Sequence, residues 1–349
     1  MFPTEPARHN AHLEMLRSKA RSWREAGGPF LPWTFLCFGG LIGLEAVLAL
    51  TQGVSLALGF LVGILWSQLG ARRPQALSWG ALVVVLALPV AAIFFGSVHR
   101  GLPYLNVGSL RIHATELASA LAVPVSAAFL ARDAYGLGGL GAVAPLLVLS
   151  SVGGQTGTWA YGVALAAMWV LAVFSTRPIE APGGRPNGGW SLLALVPVLP
   201  IAALPTVRFA QRPPASSPEG FGVWVLEDEA AGAHARTEFV LGYLAREAGF
   251  SLVLAALATL GVGAWVVGGR ALRCADLHAR FLGIGVATYV LVQAGWNLAV
   301  ARGWLPTPPS GVAFPFLSNG GSLAFGLAAS VGFLWWRFAN EPGIRPANR

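Results

Sequence analysis

The sequence predicts an all-α, polytopic membrane protein with about ten transmembrane helices. Three observations predict it. Of 349 residues, 55% are hydrophobic and only 11% are charged, where a soluble domain carries about 25% charge. Mean hydropathy is +0.63. Apolar runs long enough to cross a bilayer, about 20 residues each, recur along the chain.

The elements follow in order. Residues 1–28 are polar and basic, with Arg8, Arg17, Lys19, Arg21 and Arg24. They lack the apolar stretch of a cleavable signal peptide and read as a cytoplasmic tail, either an amphipathic helix on the headgroups or a disordered segment. Residues 29–339 form the transmembrane domain. Its apolar runs fall near 30–51, 53–71, 77–96, 115–131, 137–152, 156–175, 189–207, 238–268, 278–301 and 316–338. The joint at 51–53 is tight and the run at 137–152 is short. Residues 208–237 read as an outer loop, 303–322 as a re-entrant outer loop and 340–349 as a second cytoplasmic tail.

Orientation follows from the arginines. With the amino terminus inside, the inner loops hold Arg72, Arg73, Arg132, Arg177, Arg185, Arg270, Arg273, Arg337, Arg345 and Arg349. The outer connections 152–156 and 303–315 hold no Lys or Arg, while the outer loops 97–114 and 208–237 depart modestly from the trend. An even number of spans puts both termini in the cytoplasm. The net charge of +8 is dispersed over short loops, which excludes a nucleic-acid-binding face. Cys37 and Cys274 fall at different depths and have no metal-ligand spacing, so neither a disulfide nor a thiolate metal site is expected.

Few ionisable groups enter the apolar runs: Glu45, Glu116, Arg246 and Glu247. Each is costly in hydrocarbon and must face the bundle interior or a wet cavity. An internal ion pair that only fixes packing explains Arg246 and Glu45 as well as a functional role does. Gln293 and Asn297 share one helix face at i and i+4.

The window "QAGWNLAVARGWLPTPPSGVAFPFLSNGGS" (293–322) concentrates helix breakers and small polar residues beside a spanning helix. Such backbone is tolerated at membrane depth only where protein or a water-filled cavity satisfies it. The window resembles the carboxy-terminal signature of the SEDS family, the FtsW/RodA/SpoVE-type proteins of bacterial cell-wall growth. The match rests on Gln293, Asn297, Gly303, Leu305, Pro306, Gly311, Pro315, Phe316, Leu317, Ser318, Gly320, Gly321 and Ser322. Two weaker stretches agree in order. "RTEFVLGYLAREAGF" (236–250) is similar to the family's His-Thr-Asp-Phe segment, and "IHATELASAL" (112–121) to its Gln-Pro-Ser-Glu-Leu-Ala-Lys segment.

The resemblance implies a SEDS-type helical bundle in the bacterial inner membrane. It implies a peptidoglycan glycosyltransferase that polymerises lipid II, the undecaprenyl-pyrophosphate-linked disaccharide-pentapeptide, with a class B penicillin-binding protein as partner and membrane lipids around it. The family's essential acid falls on Glu238, the implied general base. Arg111 and Arg236 would lie near the pyrophosphate, and Glu116 and Glu247 would shape the cavity. Gln293, Asn297, Ser318, Gly320, Gly321 and Ser322 complete the implied substrate-binding set. No cofactor is firmly implied; a divalent cation on Glu227, Asp228 and Glu229 stands against a plain solvated loop run.

The chain also departs from the family. Glutamate replaces aspartate at Glu238, which shifts the carboxylate by roughly 1 Å. Ser119 stands at the family's lysine, "GQTGTW" lacks the family's aspartate, the block before Glu116 is shortened and Arg246 replaces a glutamate. Two alternatives therefore stay open: a catalytically degenerate homologue that acts as a membrane scaffold for a penicillin-binding protein, and a transporter of lipid-linked precursor.

Overall fold

The computed structural model describes residues 14, 25–43, 46–72, 74–99, 102–108, 110–132, 137–152, 155–175, 240–302, 304–305, 313–317 and 321–340. A 3-10 turn, Gly28–Phe30, leads into α1 (Leu31–Ile42), α2 (Ala46–Arg72) and α3 (Pro74–Phe95). Strands β1 (Ser97–His99), β2 (Leu102–Val107) and β3 (Leu110–His113) follow. Then come α4 (Ala114–Arg132), α5 (Leu137–Val152), α6 (Gln155–Ser175), α7 (Val240–Ala248), α8 (Phe250–Arg273), α9 (Leu277–Ala301) and α10 (Gly321–Ala339).

The architecture is a helical membrane bundle. Among the described residues, six helices (α2, α3, α4, α8, α9 and α10) are long and apolar enough to cross a membrane. Helices α5 and α6 carry shorter apolar segments. The expected run at 189–207 lies outside the described residues. Helix α4 is the axis: 94% of its apolar window is buried, against 17% for α2 and 28% for α3. It packs on α3, α5, α6, α9 and α10. Its alanines and serines let neighbours approach on every side, so its apolar residues show no single face.

Three boundaries differ from those expected. The first two runs part between Ile42 and Ala46, not at 51–53. Thr51 Oγ1 donates to its own helix at Leu48 O (2.9 Å) and Gln52 is buried, so these polar residues ride inside α2. The run 238–268 is two helices, broken at Gly249, whose φ of +83° is closed to most L-residues. The last helix starts at Gly321 rather than 316, because residues 313–317 form a separate turn. The loop expected at 97–114 also carries structure, an antiparallel meander in the order β1-β2-β3. Val107 pairs with Leu110, and Gly108 makes that tight reversal with φ +62°.

Small residues and proline set the packing. Gly59 and Gly63 on α2 face the α10 backbone at Phe325 and Ala329, and Gly332 on α10 faces Phe60 O. A side chain at any of the three would strike main chain. Pro124 in α4 has no N–H and so releases Ala120 O. Ser330 Oγ on α10 lies 3.2 Å from that oxygen and 3.0 Å from Gly326 O, and shares its proton between them.

An aromatic stack fixes the 313–317 turn. Trp33 Nε1 donates to Leu260 O (3.2 Å) through a gap left by Gly263. Phe316, with φ +64°, stacks on Trp33. Ring steps of 5.3, 6.1 and 5.9 Å lead from Phe316 through Trp33 and Phe30 to Phe338 near the far end of α10. That path is shorter than the roughly 28 Å that α10 covers at 1.5 Å per residue. The turn therefore dips into the bundle. At the opposite end from the sheet, Asp276 caps α9 by accepting from His278 N (3.0 Å) and pairs with Arg337 (3.1 Å).

Candidate active site

The sheet end of the bundle gathers polar side chains that the chain separates widely. Strand β3 delivers His113 to the start of α4. The His113 ring Nδ1 accepts from Glu116 N (3.2 Å), as an N-cap does, and lies 3.1 Å from Thr115 Oγ1. The ring packs edge-to-face on Tyr104, its partner across β2–β3, at 4.8 Å. The His113 backbone N–H donates to Ser322 Oγ at 2.8 Å. Ser322 is the last residue of the signature and the second residue of α10. The polar end of that signature is thereby tied directly to the helix start that carries Glu116.

One turn further along α4, Ser119 Oγ donates to Glu116 O (2.9 Å) and lies 2.9 Å from Tyr289 OH. Ser119 is fully buried, and Gly157 at the start of α6 closes over its hydroxyl. Tyr289, Gln293 and Asn297 recur every fourth residue on α9, all buried. Helices α9 and α10 run antiparallel, with Asp276 against Arg337 at the far end. Gln293 therefore lies one turn nearer the sheet end than the Ser119–Tyr289 contact, as does Glu116 on the adjoining α4. Among the described residues neither Gln293 Oε1 nor Nε2 has a hydrogen-bond partner. The indoles of Trp159 and Trp296 lie 5.9 Å apart between α6 and α9.

The expected site residues fall as follows. Glu116 and Ser322 come together through His113, Gly321 precedes Ser322 at the start of α10 and faces Ser55 on α2, and Gln293 and Asn297 line the adjoining helix. Arg111 is exposed on β3 opposite Asn106. Glu247 belongs to the short helix α7, next to the Gly249 break. Glu238, Arg236, Ser318 and Gly320 lie outside the described residues, as do Glu45, Glu227, Asp228 and Glu229. Among the described residues no cluster of three His, Cys, Asp or Glu could hold a metal, and Cys37 and Cys274 are not joined in a disulfide. Two residues were missed. Tyr289 continues the Gln293–Asn297 stripe by one turn, a periodic signal that was present. His113 carried no signal, because its role depends on strand pairing.

Two apolar grooves run along the flanks of the bundle. One of about 770 Å³ lies between α2, α3, α4 and α10, lined by residues such as Val62, Trp66, Val84 and Phe325. A second of about 540 Å³ lies between α1, α2 and α10, with Trp33 and Phe316 in its wall.

Comparison with known proteins gives a consistent answer. The model of the FtsW/RodA/SpoVE cell cycle protein family matches residues 233–337. The probable peptidoglycan glycosyltransferase FtsW of Idiomarina loihiensis is 35% identical over 103 residues, 29% of this chain and 25% of that protein. The protein of the same name from Geobacter sp. strain M18 is 40% identical over 106 residues, 29% of this chain and 27% of that one. The chain thus aligns with about a quarter of the length of these relatives. The crystal structure of the rod shape determining protein RodA of Thermus thermophilus superposes with a TM-score of 0.64 at 23% identity, covering 90% of this chain and 97% of that one. A chain from a structure titled as a peptidoglycan synthase complex that coordinates polymerization and crosslinking matches with a TM-score of 0.64 at 23% identity, covering 89% of this chain and 96% of that one. Residues 233–337 carry the segment of the FtsW/RodA/SpoVE family, and the protein is a multi-pass membrane protein that shares the RodA fold along nearly its whole length.

Proposed function

We propose that the protein is a peptidoglycan glycosyltransferase of the cytoplasmic membrane that polymerises lipid II during division or cell-shape maintenance, with both termini in the cytoplasm. The observation that carries this reading is the joining of the signature end, at Ser322, to the helix start bearing Glu116 through His113. In the proposed reaction an acceptor sugar hydroxyl attacks the donor's anomeric carbon. The bond from that carbon to the pyrophosphate oxygen breaks, and the polyprenyl pyrophosphate leaves with the bonding electrons. Glu238 takes the hydroxyl proton, and Arg111 and Arg236 offset the charge on the leaving group. The groove of about 770 Å³ between α2 and α3 suits a polyprenyl tail. A class B penicillin-binding protein is the proposed partner, in keeping with the fold shared with a chain of the peptidoglycan synthase complex.

One observation favours a second reading, a scaffold without catalysis. Ser119 stands where the family places lysine, and Tyr289 and Gly157 seal it off. The purified protein, with fluorescent lipid II and with or without a class B partner, separates the readings. Glycan ladders abolished by Glu238→Gln support the enzyme. Partner capture without ladders supports the scaffold, and flipping of precursor in liposomes without polymer supports the transporter.

A further inference from the structure

We propose that His113 is a positioning residue that locks the two halves of the site together, holding Glu116 with one nitrogen and Ser322 with another. The role in turnover rests on the glycosyltransferase reading; the lock itself does not.

A backbone N–H can only donate, so Nδ1 of His113, 3.2 Å from Glu116 N, must be the acceptor. The proton of the neutral ring is therefore on Nε2, and Thr115 Oγ1 donates to the same Nδ1. Glu116 N–H is one of the first four amides of α4, which have no partner within the helix. The His113 backbone N–H meanwhile donates to Ser322 Oγ. Tyr104 fixes the ring plane from the neighbouring strand. One residue thus sets the distance between the helix start carrying Glu116 and the first turn of α10.

An imidazolium has no acceptor. A proton on Nδ1 would leave Glu116 N–H without its acceptor, whereas Thr115 Oγ1 can turn and accept from the ring, and the Ser322 contact, made by backbone, remains. The ionisable groups on the packed elements are Glu116 on α4, Arg111 on β3 and Tyr104 on β2; the first turn of α10 carries no acid. Asparagine at 113 supplies a carbonyl oxygen close to the place of Nδ1 and does not titrate.

The test uses the full chain in lipid nanodiscs. Hydrogen–deuterium exchange over 114–119, corrected for intrinsic rates, is compared for wild type, His113→Ala and His113→Asn under one set of buffer conditions. The alanine variant is expected to exchange about fivefold faster at the Glu116 amide, the size of one lost helix cap. The asparagine variant, which keeps an acceptor at that place, is expected to match wild type. Ladder synthesis should fall at least about tenfold in the alanine variant, as for a sub-ångström displacement of a reacting group, and recover in the asparagine variant. Alanine exchanging like wild type, or asparagine failing like alanine, overturns the lock. Faster exchange with unchanged ladders overturns the positioning role. A wild type that forms no ladder defeats the glycosyltransferase reading instead, and exchange alone then decides on the lock.

Discussion

Trp33 stacks on Phe316, with ring centroids 5.3 Å apart and 28° between the planes. The contact holds a non-glycine residue at φ +64°, a left-handed conformation that costs an L-residue about 1–2 kcal/mol. The stack and the buried phenyl must outweigh that cost.

Two substitutions separate these terms. Phe316→Ala loses the phenyl and keeps the strain, whereas Phe316→Gly loses the phenyl and relieves it. Losing a buried phenyl costs about 3–5 kcal/mol. The glycine variant recovers about 0.5–1 kcal/mol of that after its own unfolded-state entropy. Thermal unfolding midpoints in detergent should rank wild type above Phe316→Gly above Phe316→Ala. An alanine variant above the glycine variant would show that the turn is unstrained.

The α2–α10 seam makes a sharper demand. A side chain at Gly63 would enter the Ala329 carbonyl, whereas Gly261 on α8 has nothing within 4 Å. Gly63→Leu should abolish monodisperse protein in size-exclusion chromatography, and Gly261→Ala should leave elution and midpoint unchanged.

Ser330 compensates for Pro124. Ser330→Ala should cost about 0.6 kcal/mol, the usual size of an interhelical hydrogen bond in a membrane. In a Pro124→Ala background the backbone N–H is restored to Ala120 O, so the same change should cost close to nothing. A double-mutant cycle on unfolding free energies reads the difference directly, and equal costs in both backgrounds would refute the pairing.

Ser119 stands where the sequence resemblance expects a lysine. Its hydroxyl is enclosed by Tyr289, Gly157 and the Glu116 carbonyl. Restoring the family's lysine by Ser119→Lys should overpack the site and cost at least about 1–3 kcal/mol, seen as a lowered midpoint. A stable lysine variant with increased ladder synthesis would show instead that the pocket opens.

The membrane class was legible because hydrocarbon solvent filters composition directly: 11% charge leaves few other folds. The signature at 293–322 was legible because its residues are adjacent in sequence. Boundaries were harder. Thr51 and Gln52 resembled a joint, but a hydroxyl that bonds its own helix is cheap to carry. Gly249 looked like any glycine within an apolar run, since only its φ makes it a break. The small sheet hid in a loop whose three strands are no longer than six residues. His113 stayed invisible because its partners lie on a strand, a helix start and a segment 209 residues away. Contacts of that kind follow from the folded arrangement and not from spacing.

The proposed function requires substrate chemistry at the sheet end, between Glu116 and the signature turn. The most direct measurement is photocrosslinking with a diazirine-bearing lipid-linked disaccharide, mapped by peptide mass spectrometry. Adducts on peptides containing Glu116 and residues 313–322, competed by unlabelled lipid II, are the predicted result. Adducts confined to the opposite end, around Asp276 and Arg337, would contradict it.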